Sequence, residues 1–220
     1  MTSGAMWQVA RATSGAFAYG LLRMRRSGVE NIPATGPVLI ACNHVAIFDP
    51  PCMLVAATPR RVHPMTMAEL FGNPVLAGML RRIGAFPVRR AYPDTWAIRA
   101  GRALLARGEC VLTFPEGGVK RNGDLNPGFS GTGYLALREG VTVIPAAIWD
   151  TQLLRGPVRV RFGEPVPMDD LRASPRPGRN RRTTDRIMAA LAQLLPDVGG
   201  PAQAPPTGAP FLPRAARRTS

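Results

Sequence analysis

Three short runs, Val38–Cys42, Cys110–Phe114 and Val141–Trp149, are almost wholly apolar, and each gives way to a polar turn or a tryptophan-capped end. Runs of this length without polar alternation fit strands buried on both faces of a sheet. Helical patterns lie between them. Asp94 to Arg107 is the clearest: Trp96, Ala97, Ala100, Leu104 and Leu105 make one apolar stripe, and Gly108 stops it. Pro50 to Ala57, Phe71 to Ile83, Tyr134 to Glu139 and Thr184 to Leu195 read as further helices. Val62–Met67 reads as another strand, and Gly84–Arg90 as a short extended segment. In Val158–Phe162 arginine alternates with apolar residues, as in a half-exposed strand. This alternation predicts an α/β fold, a mixed central sheet flanked by helices. Pro145, inside the third apolar run, predicts an edge position or a break.

A chain of 220 residues is long enough for one domain with a sizeable core. The charge is the unusual part: 28 Lys+Arg face 14 Asp+Glu, a net +14, and nearly all the cations are arginine. Such a surface draws phosphates, whether on nucleic acid, anionic lipid, coenzyme A or an acidic carrier protein. The interleaved surface aromatics of a base-stacking surface are missing, so no nucleic acid is expected. Cys42, Cys52 and Cys110 have neither metal nor disulfide spacing, which fits a reducing compartment, and Cys42 and Cys110 read as core residues. No secretory signal is recognisable, and no apolar run approaches the ~20 residues that span a bilayer.

The organisation is expected to be threefold. Residues 1–27 form an N-terminal helix that either associates with a membrane or packs on its own domain. Trp7, Phe17, Tyr19, Leu21 and Leu22 supply its bulk, Arg23, Arg25 and Arg26 its basic end, and Gly15 and Gly20 weaken it. Residues 28–198 form the main domain, with a basic loop at Arg176–Arg182. Residues 199–220, rich in Pro and Ala and basic, are expected to be a disordered tail.

Candidate chemistry sits where the first strand ends, at Asn43-His44-Val45-Ala46-Ile47-Phe48-Asp49-Pro50-Pro51. Two readings of His44 and Asp49 compete. In one, the carboxylate holds one ring nitrogen and leaves the other to take a proton from an alcohol. In the other, Asp49 caps a helix beginning at Pro50 and His44 satisfies a backbone group. His63, inside a strand, reads as a packed or surface imidazole. No G-x-S-x-G elbow, phosphate loop or H-E-x-x-H metal site occurs, and no metal is expected. If His44 is a base, the nucleophile is the substrate's own hydroxyl.

Four blocks appear in order: Asn43-His44-x4-Asp49, Gly84-Ala85-Phe86-Pro87-Val88-Arg89-Arg90, Phe114-Pro115-Glu116-Gly117 and Val143-Ile144-Pro145-Ala146. From about Gly28 to Asp170 the chain closely resembles the glycerolipid acyltransferases of the 1-acyl-sn-glycerol-3-phosphate (lysophosphatidate) type. The resemblance implies a glycerol-3-phosphate acyltransferase-like fold over residues 28–198. It implies that His44 is the general base and Asp49 orients it. It implies that Asn43, Arg89, Arg90, Glu116 and Gly117 bind substrate, the arginines holding the acceptor's phosphate. No cofactor is implied; acyl-CoA or acyl-carrier protein would be the co-substrate, a lysophospholipid the acceptor, and the cytoplasmic face of the membrane the peripheral location. The third block continues Gly118-Val119 before Lys120 and Arg121, where the family has Ser or Thr and then Arg. That departure leaves another lysolipid or hydroxyl acceptor, or thioester hydrolysis, as the alternative.

Overall fold

A computed structural model of the chain describes residues 4–89, 94–120, 123–151, 157–174, 176–206 and 208. Among them, strands β1 (Arg25–Ser27), β2 (Val38–Cys42), β3 (Val62–Met67), β4 (Phe86–Val88), β5 (Cys110–Thr113), β6 (Thr142–Trp149) and β7 (Arg159–Phe162) form one sheet. Its order is β1-β7-β6-β2-β5-β3-β4. All neighbours are parallel except β6 and β7. The expected mixed α/β sheet is therefore present, with β2 at its centre.

Each face of β2 feeds a separate core. Val38, Ile40 and Cys42 point into one that includes Met53 and Leu54 of helix α2 (Asp49–Ala56) and, from the N-terminal segment, Ala18 and Leu22. Leu39 and Ala41 point into the other, with Leu104 of α4 (Thr95–Ala106), Leu135 of α5 (Ser130–Ala136) and Ile187 of α7 (Arg179–Leu194). Burial on both sides is why β2 is an unbroken apolar run. In β7, Arg159 and Arg161 are exposed while Val160 and Phe162 are buried. Helix α3 (Pro74–Arg82) follows a short 3-10 turn, with Asn73 accepting from the Val75 and Leu76 amides. A short α6 (Asp169–Ala173) precedes α7.

Three expectations need correction. Strand β6 is interior and continuous, despite Pro145. In a strand, a residue's N–H and C=O face the same neighbour. The Pro145 carbonyl accepts from Gly163 (2.8 Å), just past the end of β7, and the ladder to β7 starts only at Ala146. The missing N–H thus faces a place where no ladder bond is needed. Helix α5 starts at Ser130, not Tyr134. The small residues that weaken its propensity let it lie close to its neighbours: a Cβ on Gly131 would lie 3.1 Å from Ile98, and one on Gly133 2.0 Å from the Asn180 carbonyl oxygen. Helix α7 begins at Arg179, so most of the expected basic loop is its first turn. Arg181 reaches the Gly128 carbonyl and pairs with Asp185 one turn on, contacts that sequence propensity does not contain.

Helix α1 (Gly4–Gly15) runs into a π-helical turn, Ala16–Leu21. One side packs inward: Ala18 and Leu22 are buried, Phe17 lies 5.3 Å from the Phe48 ring, and Arg61 lies over Trp7. Val9, Tyr19 and Leu21 stay exposed. The start of the C-terminal segment lies against the body through Gln203, which accepts from the Leu125 amide (2.8 Å). Residues 209–220 are outside the described residues.

Gly133 also donates its N–H to Thr184 of α7 (3.0 Å). Gly133→Ala should wedge the two helices apart and cost about 1–3 kcal/mol. A lower urea midpoint at unchanged m-value is the expected result.

Candidate active site

The C-terminal ends of β2, β5 and β6 meet at one point. The β2–β6 ladder ends at Cys42↔Ala146. Asn43 then extends it with its side chain: Nδ2 donates to the Ile148 carbonyl (2.9 Å), and Oδ1 accepts from the Ile148 amide (2.8 Å). Asn43 is buried and both ends of its amide are used. Expected among the substrate-binding residues, Asn43 has both ends of its amide on the backbone of Ile148, which fixes where His44 leaves the sheet.

The loop after β5 holds the His44 backbone on both sides. The Glu116 carboxylate accepts from its N–H (3.3 Å), and the Lys120 N–H donates to its carbonyl (2.7 Å). The ring stacks on Phe114, with centroids 4.2 Å apart. Nδ1 meets Asp49 Oδ2 at 2.7 Å. A carboxylate there selects the tautomer with the proton on Nδ1 and leaves the Nε2 lone pair for chemistry.

Asp49 is wholly buried. The same Oδ2 accepts from the Val45 and Ala46 amides (2.7 and 2.9 Å), and Oδ1 accepts from the Thr151 hydroxyl (2.5 Å). The capping expectation is corrected here. Asp49 is the first residue of α2, Phe48 is its N-cap, and no side chain caps that helix. The carboxylate turns back onto the 44–46 loop instead. Pro50, in the first turn, supplies no N–H that would compete for it.

Glu116, expected to bind substrate, has both carboxylate oxygens on backbone amides. It is 5% exposed, and its second oxygen accepts from the Asn126 amide (2.9 Å), so it ties the β5 loop to residue 126 and to His44. Burial pushes its carboxyl up to about 7, against the lowering effect of those N–H bonds. Gly117 lies in the cavity wall at φ +69, where a Cβ would strike the Phe129 ring at 2.3 Å. Arg89 is exposed at the cavity, its amide donating to Asp94 Oδ2 (2.7 Å). Arg90 is outside the described residues. His63 is buried against the Gly84 carbonyl (3.0 Å), away from this site.

A cavity of about 1210 Å³ opens at His44. Phe48, Met65, Leu70, Ile98 and Phe129 give it a mainly apolar wall, and Arg89, Arg99 and Arg102 bring cations to it. Among the described residues, no serine, threonine or cysteine side chain hydrogen-bonds to the His44 ring. The three cysteines are buried and free, and burial pushes the Cys52 and Cys110 thiols up to about 12 and Cys42 well up. They are poor nucleophiles.

Thr151 was missed by the sequence reading. The signal it carries is a position two residues past the end of a buried strand, β6.

A buried carboxylate, a histidine with one free nitrogen and an apolar cavity with cations at its wall define an α/β enzyme suited to general-base transfer onto an amphipathic substrate. Residues 23–149 match the acyltransferase family, and the chain belongs to it. It is 29% identical over 170 residues to the 1-acyl-sn-glycerol-3-phosphate acyltransferase of Bacillus subtilis, covering 75% of this chain and 84% of that protein. It is 25% identical over 139 residues to the one of Streptococcus pneumoniae, covering 61% of this chain and 52% of that protein. The fold matches the crystal structure of the 1-acyl-sn-glycerophosphate acyltransferase of Thermotoga maritima with a TM-score of 0.68 at 21% identity, over 86% of this chain and 79% of that one.

Two predictions test this geometry. Thr151→Val removes a donor from a buried charge; kcat should fall about ten- to a hundredfold with KM little changed, and Thr151→Ser should restore it. The raised Glu116 value means that the native state keeps this proton to higher pH than the unfolded chain. Its stabilising contribution is therefore full below about pH 4.5 and is lost as pH rises to about 7. Denaturant melts across that range should show a fall of about 2–3 kcal/mol that is largely absent in Glu116→Gln.

Proposed function

We propose that the protein moves a fatty acyl group from an acyl thioester to the free hydroxyl of 1-acylglycerol-3-phosphate, at a membrane surface. The observation that carries this reading is the His44–Asp49 pair at the mouth of an apolar cavity with arginines at its wall. His44 Nε2 removes the proton as the acceptor oxygen attacks the thioester carbonyl carbon. The tetrahedral adduct collapses, the C–S bond breaks, and the thiolate takes the proton back from the imidazolium. Among the described residues no serine, threonine or cysteine hydrogen-bonds to the His44 ring, which supports direct transfer without an acyl-enzyme.

Apolar walls of the cavity would take the acyl chains. Arg89 would hold the acceptor phosphate, because a guanidinium can donate two parallel bonds to it. Gly117 would let Phe129 close against the wall beside the acceptor. The names of the similar proteins support lysophosphatidate as acceptor. Among the described residues no helix is long and apolar enough to cross a membrane. The exposed Val9, Tyr19 and Leu21 beside Arg23 and Arg25 support peripheral attachment of residues 1–27 to an anionic, cytoplasmic membrane face.

The test is an acyl-transfer assay in lipid vesicles with lysophosphatidate and other lysolipids, each with acyl-CoA and acyl-carrier protein. Diacylglycerol phosphate should form, and His44→Ala should lower turnover by about a thousandfold or more in a folded protein. Full activity in His44→Ala would refute the mechanism; product with every lysolipid except lysophosphatidate would refute the acceptor.

A further inference from the structure

Two arginines of α4 belong to more than the catalytic cavity. Arg99 and Arg102 also line a second, smaller pocket of about 390 Å³. Arg138 and Glu139 stand at its edge, and Ala103, Leu105, Ala106 and Val141 contribute its apolar surface. The two hollows thus share Arg99 and Arg102 in their lining. Arg102 is held there by Tyr134, whose hydroxyl accepts from it at 3.2 Å and whose ring lies 5.9 Å from its guanidinium carbon. A cation held in place by a neighbour loses less freedom on binding an anion.

The position of these arginines separates them from Arg89. The Arg89 backbone is tied to Asp94, which caps α4. At 1.5 Å per residue, Arg99 and Arg102 lie about 8 and about 12 Å further along the helix. The transfer reaction brings two anionic substrates to one histidine, so a second cationic site is expected for the second anion.

We propose that Arg99, Arg102 and Arg138 form the binding site for the nucleotide phosphates of a coenzyme A thioester donor, an inference that rests on the acyl-transfer reading above. The thioester lies at His44 with its acyl chain in the apolar cavity. The pantetheine arm leaves past Ile98 and Tyr134, and the phosphates meet the guanidinium groups. The second pocket is concave, small and apolar-floored, at a volume in the range of small-ligand sites. Those properties suit a nucleotide better than a helix of an acidic carrier protein, which needs a broad, flat contact. Three cations against the single carboxylate of Glu139 leave the pocket strongly positive.

The experiment compares wild type with Arg138→Gln, a change in the second pocket that leaves the lining of the catalytic cavity intact. Calorimetric binding of coenzyme A itself is measured first, then KM for acyl-CoA, for acyl-pantetheine, which lacks phosphate, and for lysophosphatidate. Coenzyme A should bind the wild type and weaken at least tenfold in the variant. KM for acyl-CoA should rise at least tenfold, while those for acyl-pantetheine and lysophosphatidate stay within twofold. The acyl-pantetheine reaction also reports that the variant is folded. Unchanged coenzyme A binding, or a wild type that binds none and uses only acyl-carrier protein, overturns the site. So does a rise in KM for lysophosphatidate instead, which would give this pocket to the acceptor. A wild type that binds coenzyme A through this pocket but acylates no lysolipid would leave this site standing and remove the acyl-transfer reading.

Discussion

A single buried carboxylate organises the reactive end of this molecule. Asp49 has no exposure to water, so its charge is tolerable only if its oxygens are met by donors. Four donors meet them: the His44 ring, two amides of the 45–46 turn and the Thr151 hydroxyl. These come from the ends of two adjacent strands. The carboxylate therefore closes the loop after β2, fixes the histidine tautomer and ties both to the end of β6. Losing one donor costs more than one hydrogen bond, because the remaining charge is still buried.

The sheet makes this convergence possible. Parallel strands β2, β5 and β6 end on the same side, so three loops distant in sequence meet there. Each contributes one constraint on His44. The β2 loop carries it, the β5 loop supplies the Phe114 stack and the two bonds to its backbone, and the β6 end supplies Ile148 for Asn43 and Thr151 for Asp49. Little of the histidine is left to move, and what is left is Nε2. Preorganisation of this kind is where such a site gains rate, since the base need not be reoriented during the reaction.

The sequence carried much of this pattern, and where it did not the reason is physical. Apolar runs with both faces buried are legible without context, so β2, β5 and β6 were found where they lie. The His44–Asp49 spacing was ambiguous, because a loop of four residues permits either a cap or a pairing; only the direction of the carboxylate separates them. Pro145 misled because a missing donor matters only if a neighbouring strand needs it, and β7 stops one residue short. Gly131 and Gly133 misled because low propensity was outweighed by close crossings with α4 and α7. Asn43 and Glu116 stand beside His44 in sequence or in space, yet their polar atoms are used on backbone groups. Adjacency to a reactive residue does not distinguish a side chain that meets substrate from one that holds the frame.

That distinction bears on the basic charge of the chain. Some arginines are spent within the fold: Arg26 on the carbonyls at the end of α2, Arg60 on those of Pro33, Gly36 and Gly108, and Arg172 on those of Ala136 and Val141. Arginine suits this work because its fork bridges several carbonyls at once and never deprotonates. The net charge of +14 is thus partly structural, and its size alone does not identify a ligand. The informative cations are those whose side chains line the cavity beside His44. Arg89, Arg99 and Arg102 do so from two elements, a strand end and one face of a helix. Anions arriving there would be held at fixed distances from the base, and it is this placement, more than the overall charge, that can order two substrates around a single histidine.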